Sequence, residues 1–151
     1  MIKIKKSTTA ESRSCDYTKV TKDQLKESSL QHIEDVKKGM AFFINLMKVS
    51  GITHDIDKLQ DLDGFYKDFS CGFKTKDWWE KHKRISRHHL SQPEGVPETV
   101  DLVDVFEYIV DCVMASKGRG STFYPIEIDP DVLMTAFKNT AQYLQENVAV
   151  E

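Results

Sequence analysis

His54 and Asp55 stand side by side, and Lys58 follows three residues later, in the stretch Thr53-His54-Asp55-Ile56-Asp57-Lys58-Leu59. A neutral imidazole and an ionised carboxylate are good ligands for a hard or borderline divalent cation, and a nearby ammonium can hold a phosphoryl oxygen. A lone His-Asp pair also serves as an ordinary surface or capping pair, so the other histidines decide what the doublet is for. Those are His32, His82, His88 and His89. Taken with Asp104, the order along the chain is His32, His54-Asp55, His82, His88-His89, Asp104, and each falls on a face or at an end of an expected helix.

The elements that must position these residues can be read from hydrophobic spacing. Thr21 and Gln24 form a capping-box pattern that opens a helix predicted to run to Gly51. In it Leu25, Ser29, His32, Val36, Met40, Phe43 and Met47 recur at three and four residues, which places His32 on the stripe expected to be buried. After the doublet, Asp61-Leu62-Asp63-Gly64 breaks the pattern, and Phe65, Tyr66, Phe69 and Phe73 predict a short helix and loop on the core. Asp57, Asp61 and Asp63 are expected to face water, since no glutamate stands where a twelve-residue calcium loop requires one.

A helix opening at Thr75 or Asp77 aligns Trp78, His82, Ile85 and His89 on one face. His88 lies about 100° away and joins that face only if the helix loosens before Pro93 and Gly95. Asp101 or Thr99 caps the next helix, where Leu102, Val103, Phe106, Ile109, Val110, Val113 and Met114 form an apolar band. Asp104, Glu107, Tyr108 and Asp111 align on the adjoining face, ordinarily the wet side of such a helix, with Asp104 the acid that can point inward. Asp129-Pro130 caps a last helix expected to bury Val132, Leu133, Ala136, Phe137, Thr140, Tyr143 and Leu144.

Every long periodic segment has the helical repeat and none alternates, so the fold class expected is all-α, with five or more helices. Residues 1–20 read as an N-terminal extension with at most a short strand at Ile2 to Ile4, and residues 21–151 as one helical domain. No apolar run approaches the length of a bilayer span and no signal-peptide pattern follows Met1, which predicts a cytoplasmic protein without a membrane partner. A net charge of -3 argues against broad nucleic-acid binding. Cys15, Cys71 and Cys112 are odd in number and widely spaced, so they read as reduced thiols.

The ordered ligand set resembles the HD superfamily of metal-dependent phosphohydrolases, an all-helical fold in which one helix gives His, a doublet gives His and Asp, and a later helix gives the final Asp. The additional His and His-His pair are similar to the HD-GYP subgroup. Its doublet reads His-Asp-Ile-Gly-Lys, whereas Asp57 replaces the glycine here. Leu90 stands where an acidic residue follows the pair, and Glu94-Gly95-Val96-Pro97 replaces the Gly-Tyr-Pro turn, so the signature of cyclic-di-GMP hydrolysis is absent. From about Leu30 to Val148 the chain also resembles a family of small, uncharacterised proteins of tailed bacteriophages and bacteria, for which the compartment would be the host cytoplasm.

What the resemblance implies is a helical bundle of HD type and a hydrolase of a phosphomonoester or phosphodiester in a small nucleotide. One metal site would use His32, His54, Asp55 and Asp104, and a second would use His82, His88 and His89 with Asp55 bridging. The expected cofactor is one or two divalent ions, with Fe, Mn, Zn, Ni, Co and Mg undistinguished. Asp55 and Lys58 would act in catalysis, Lys58 on phosphate oxygens, while Arg87, Lys117 and Arg119 would bind further phosphates. The final Asp of the family maps onto Asp104 rather than Asp111. Two alternatives stay open: a mixed-valent di-iron oxygenase of the same fold, and a non-catalytic, metal-stabilised phage binding protein. The sequence leaves homo-oligomerisation open.

Overall fold

The computed structural model describes residues 1–7, 16–91, 96–120 and 125–151. In these residues the chain is all-α, with helices α1 (Lys22–Thr53), α2 (Ile56–Gln60), α3 (Leu62–Ser70), α4 (Asp77–Ile85), α5 (Leu102–Gly118) and α6 (Pro130–Glu146). Two three-residue strands, β1 (Ile2–Ile4) and β2 (Val148–Val150), pair in parallel with Ile2 opposite Val148. No helix among the described residues is long and apolar enough to cross a membrane. Cys15, Pro93, Glu94 and Gly95, named above, lie outside the described residues.

The chain divides into two compact units. The first, Met1–Asn45 with Gln142–Glu151, holds the strand pair and the start of α1. Its helix start follows the sequence signal: Thr21 Oγ1 accepts from Gln24 N at 3.2 Å while Thr21 N donates to Gln24 Oε1 at 2.9 Å. Gln31 Nε2 donates to Lys5 O at 2.6 Å and Lys38 Nζ to Lys3 O at 3.0 Å, which ties the strand to α1. The stripe expected to be buried here is not: Leu25, Val36 and Met40 are about half exposed and His32 is exposed. Periodicity names the apolar face but not what covers it.

The second unit, Leu46–Ala141, is built on Leu90, Val100, Val105 and Ala136, with Leu102, Tyr108, Ile128 and Val132 packed against them. Asn139 Nδ2 donates to Glu98 O and Val100 O at 2.9 and 2.8 Å, and Leu102 N donates to Thr140 Oγ1 at 2.8 Å. α6 here buries Ala136, while Leu133 and Phe137 stay exposed, so the expected apolar face is narrower than its sequence suggests.

α4 takes its N-terminal partner from outside its own sequence. Lys76 precedes it in the left-handed region at φ 59°, without a side-chain capping bond. Instead the buried Asp68 of α3 accepts from Thr75 Oγ1 at 2.5 Å and from the amides of Lys76 and Trp79 at 3.0 Å each. Phe65 then meets Trp78 with ring centroids 4.6 Å apart, joining α3 to α4. Gly51 does not end α1, which continues to Thr53; a glycine costs a helix only about 1 kcal/mol and is carried through.

Candidate metal centre

The doublet sits at an elbow. α1 ends at Thr53, and Asp55 turns the chain into α2 at φ 55° and ψ 19°, in the left-handed region. That conformation costs a residue with a Cβ about 1–2 kcal/mol, less for Asp than for most, and is held only where the surroundings fix it. The elbow aims the Asp55 carboxylate at three imidazoles. Asp55 Oδ2 lies 3.4 Å from His54 Nε2, and Asp55 Oδ1 lies 3.5 Å from His82 Nε2 and 3.6 Å from His88 Nε2. Lys58 pairs with the same carboxylate from the first turn of α2.

Each of these rings is held from behind. Glu107 Oε1 receives His54 Nδ1 and His88 Nδ1, both at 2.9 Å, and Asp57 Oδ2 receives His82 Nδ1 at 2.7 Å. A carboxylate only accepts, so each Nδ1 carries the proton and each Nε2 is left with a lone pair. Ser50 donates to the other oxygen of Glu107. Ligating histidines are commonly held this way, with an outer carboxylate fixing tautomer and ring orientation.

Donor atoms about 2.0–2.2 Å from a common ion lie roughly 3.0–3.6 Å from one another, and the separations around Asp55 fall there. Asp55 Oδ1, His82 Nε2 and His89 Nε2 are buried with no hydrogen-bond partner. Leaving such atoms unsatisfied costs about 1–3 kcal/mol each, so three in one place call for a ligand. Three sets of side chains have donor atoms close enough to hold an ion: His82, His88 and His89; His54, His88 and Asp111; and Asp55, Asp57 and His82. Asp57 already receives His82 Nδ1, so we read the third set as orientation rather than ligation. The other two share His88, whose single free Nε2 can serve only one ion at a time, and both lie against Asp55, with His82 and His88 facing its Oδ1 and His54 facing its Oδ2.

The same contacts set the protonation of the site, and they favour ligation except at His88, whose raised pKa puts a proton in competition with metal. Burial alone would raise Glu107, but the bonds from His88, Ser50 and His54 outweigh it and bring its pKa down to about 2. Burial likewise pushes Asp55 up, and Lys58, His54 and His82 more than reverse this. Burial lowers His88, yet Glu107, Asp55 and Asp111 leave it raised. His89 is pushed down to about 4 by burial and by His88 and His82, so it is a neutral base at pH 7.

Of the residues picked from sequence, His54, Asp55, Lys58, His82, His88 and His89 come together. His32 does not join them. It lies on α1 twenty-one residues, about six helical turns, before Thr53, and among the described residues it belongs to none of the groups whose donor atoms come close enough to hold an ion. Asp104 is buried, as expected of an inward acid, but its oxygens are occupied: Arg87 Nε and Nη2 donate to Oδ1 and Oδ2 at 2.8 and 2.7 Å, and Asp101 N donates to Oδ2 at 2.9 Å. Asp101 in turn accepts from the amides of Val103 and Asp104, closing a capping box at the start of α5. Arg87 is therefore committed to Asp104 and Thr99 rather than free for phosphate. Lys117 and Arg119 are exposed at the far end of α5, and no contact among the described residues joins them to the cluster.

Asp111 stands where Asp104 was expected, with Oδ1 3.6 Å from His54 Nε2. Glu107 and Asp57 were missed as functional residues; Glu107 lies four residues before Asp111 on the face of acids already noted, and that spacing was the available signal. The His88-His89 pair reaches the site differently from the helical projection. α4 stops at Ile85, Ser86 is extended at ψ 103°, and the pair follows outside the helix, which brings His88 inward as well.

No protein-family model, curated protein or solved structure matches the chain.

Two expected results separate these roles. Asp104→Asn, which breaks the fork with Arg87, should lower stability by about 1–2 kcal/mol in thermal or urea unfolding while metal affinity stays within a few-fold. Asp111→Asn should do the reverse, and equal metal loss in both would show that Asp104 is a ligand. The second result concerns pH. His89 titrates near 4 when folded and near 6.5 when unfolded, so between these values the unfolded chain binds more protons. Metal-free protein should lose stability as pH falls from 6.5 to 4, whereas the raised His88 contributes the opposite slope above 6.5. His89→Gln should flatten the acid side; an unchanged profile would mean that the ring is not buried as described.

Proposed function

We propose that the chain is a metal-dependent phosphohydrolase acting on a small phosphorylated substrate of nucleotide type. One or two divalent ions would be held by His54, Asp55, His82, His88, His89 and Asp111. The observation that carries this reading is the convergence of imidazole Nε2 atoms on Asp55, each measured ring locked by a carboxylate at Nδ1. An imidazole-rich set with carboxylates suits Mn, Fe, Co, Ni or Zn better than Mg. When bound, such ions activate water and offset charge on a phosphoryl group.

The chain's own groups would do the rest. Glu107 and Asp57 hold the ring protons away from the reacting side. Asp55 spans the two ligand sets. Lys58 keeps an ammonium beside Asp55, with donors left over for a phosphoryl oxygen.

A second reading, an oxygenase of di-iron type, is favoured by one observation: the groove beside His54 is largely apolar and has no Lys or Arg among its described lining residues. The test is metal-reconstituted protein assayed against p-nitrophenyl phosphate, bis-p-nitrophenyl phosphate and panels of nucleotides and cyclic nucleotides, with oxygen uptake followed in parallel. Phosphate release lost in Asp55→Asn supports the hydrolase. Iron content with oxygen uptake supports the oxygenase, and bound metal with neither activity supports a binding protein.

A further inference from the structure

Between the last two turns of α1 and the outer face of α5 lies a groove of about 370 Å³ that ends on the candidate metal centre. Its walls are Met47, Val103, Phe106, Val110 and Met114, and its polar end is formed by His54, Glu107 and Asp111. Phe106, Val110 and Met114 each expose more than half of their surface, and Met47 more than a third, so this apolar surface is open. No Lys or Arg is among the lining residues, while two carboxylates are. Gly51 sits on α1 three residues before His54, and a Cβ built there meets no atom within 4 Å. Gly51 lines the groove, and a larger side chain there has open space into which to extend.

We infer that this groove takes the uncharged body of the substrate, and that the substrate class is an aryl or alkyl monophosphate whose single anionic head reaches the metal centre; the placement of the head rests on the function proposed above. The occupant is a small molecule because the groove is concave and runs directly into a ligand imidazole. Its volume suits a body of one or two rings. The charge pattern sets the class. A di- or triphosphate tail lying along the groove would run between apolar walls with no Lys or Arg among the lining residues to offset its charge, whereas a neutral ring would bury against Met47, Phe106 and Met114.

The chain has five methionines, and Met47 and Met114 line the groove while Met1, Met40 and Met134 do not. Protein carrying 13C-methyl methionine reports the groove directly. In metal-free protein, 1-naphthol should shift the Met47 and Met114 methyl signals and leave the other three in place. In Mn-loaded protein, paramagnetic broadening forbids that readout, so 1-naphthyl phosphate and ATP are compared by calorimetry, with the naphthyl ester expected to bind at least about tenfold tighter. Gly51→Leu should abolish the naphthol shifts and weaken the ester by at least about tenfold while metal affinity is unchanged, and Gly51→Ala should do so less.

Naphthol shifts at Met47 and Met114 in a protein that binds no metal would keep the groove and remove the phosphohydrolase. Unmoved Met47 and Met114 signals, ATP binding as tightly as the ester, or indifference to Gly51→Leu in a variant with native circular dichroism would each overturn the inference. Signals that move on dilution without ligand would assign the groove to a second copy of the chain and overturn it equally.

Discussion

Asp55→Gly is expected to fold and to lose metal at both ligand sets. Asp55 faces His54, His82 and His88 together, through its two oxygens. Glycine accepts the φ of 55° without strain, so the variant deletes the carboxylate and spares the elbow. Asp55→Ala mixes the two effects and is the less informative change. Metal affinity in Asp55→Gly should fall by about 10²-fold or more, and phosphate release by at least about 10³-fold. Competition against a chromogenic chelator reads the first and initial rates the second. A glycine variant that holds metal as tightly as the parent would show that Asp55 serves only as the partner of Lys58.

Glu107→Ala should give the next largest loss although Glu107 is assigned no bond to metal. Its carboxylate fixes the Nδ1 protons of His54 and His88 and receives Ser50, so its removal frees both rings to turn or change tautomer. Outer carboxylates of this kind are worth about 10–100-fold in metal affinity. Glu107→Gln, whose amide keeps one acceptor oxygen, should fall between parent and alanine. Metal-free Glu107→Ala should also lose about 2 kcal/mol of unfolding free energy, because two imidazole N–H groups lose their acceptor. Unchanged metal affinity in Glu107→Ala would mean that these hydrogen bonds are structural alone.

The helical class, the opening of α1 at Thr21 and the N-cap at Asp101 were legible in the sequence, because capping chemistry and the 3.6-residue period are local signals; that His54, His82, His88 and His89 belong together came only from the order of ligands in the family the chain resembles. What escaped reading depended on neighbours distant along the chain. Asp57 looked like a surface acid until His82 was placed against it, twenty-five residues on. Asp68 caps α4 from the preceding helix, which no pattern near Lys76 announces. Asp104 and Asp111 are two turns apart on one face of α5, and periodicity cannot tell them apart; Arg87 does, by taking Asp104. His32 sits at the right place in the order of ligands but six turns up an unbroken helix, a distance that order alone does not reveal.

The claim on which the rest depends is that the Nε2 atoms around Asp55 hold metal in two adjacent sites. The direct measurement is metal content per chain, by plasma mass spectrometry after reconstitution with Mn, Fe, Co, Ni or Zn and removal of loosely bound ions, for the parent and for His82→Ala combined with His89→Ala. The parent should carry about two ions and the double variant about one, since His54 and Asp111 keep their set while His82 and His89 lose theirs. A parent that retains no ion from any of these metals, or a double variant with unchanged metal content and full phosphate release, would contradict it.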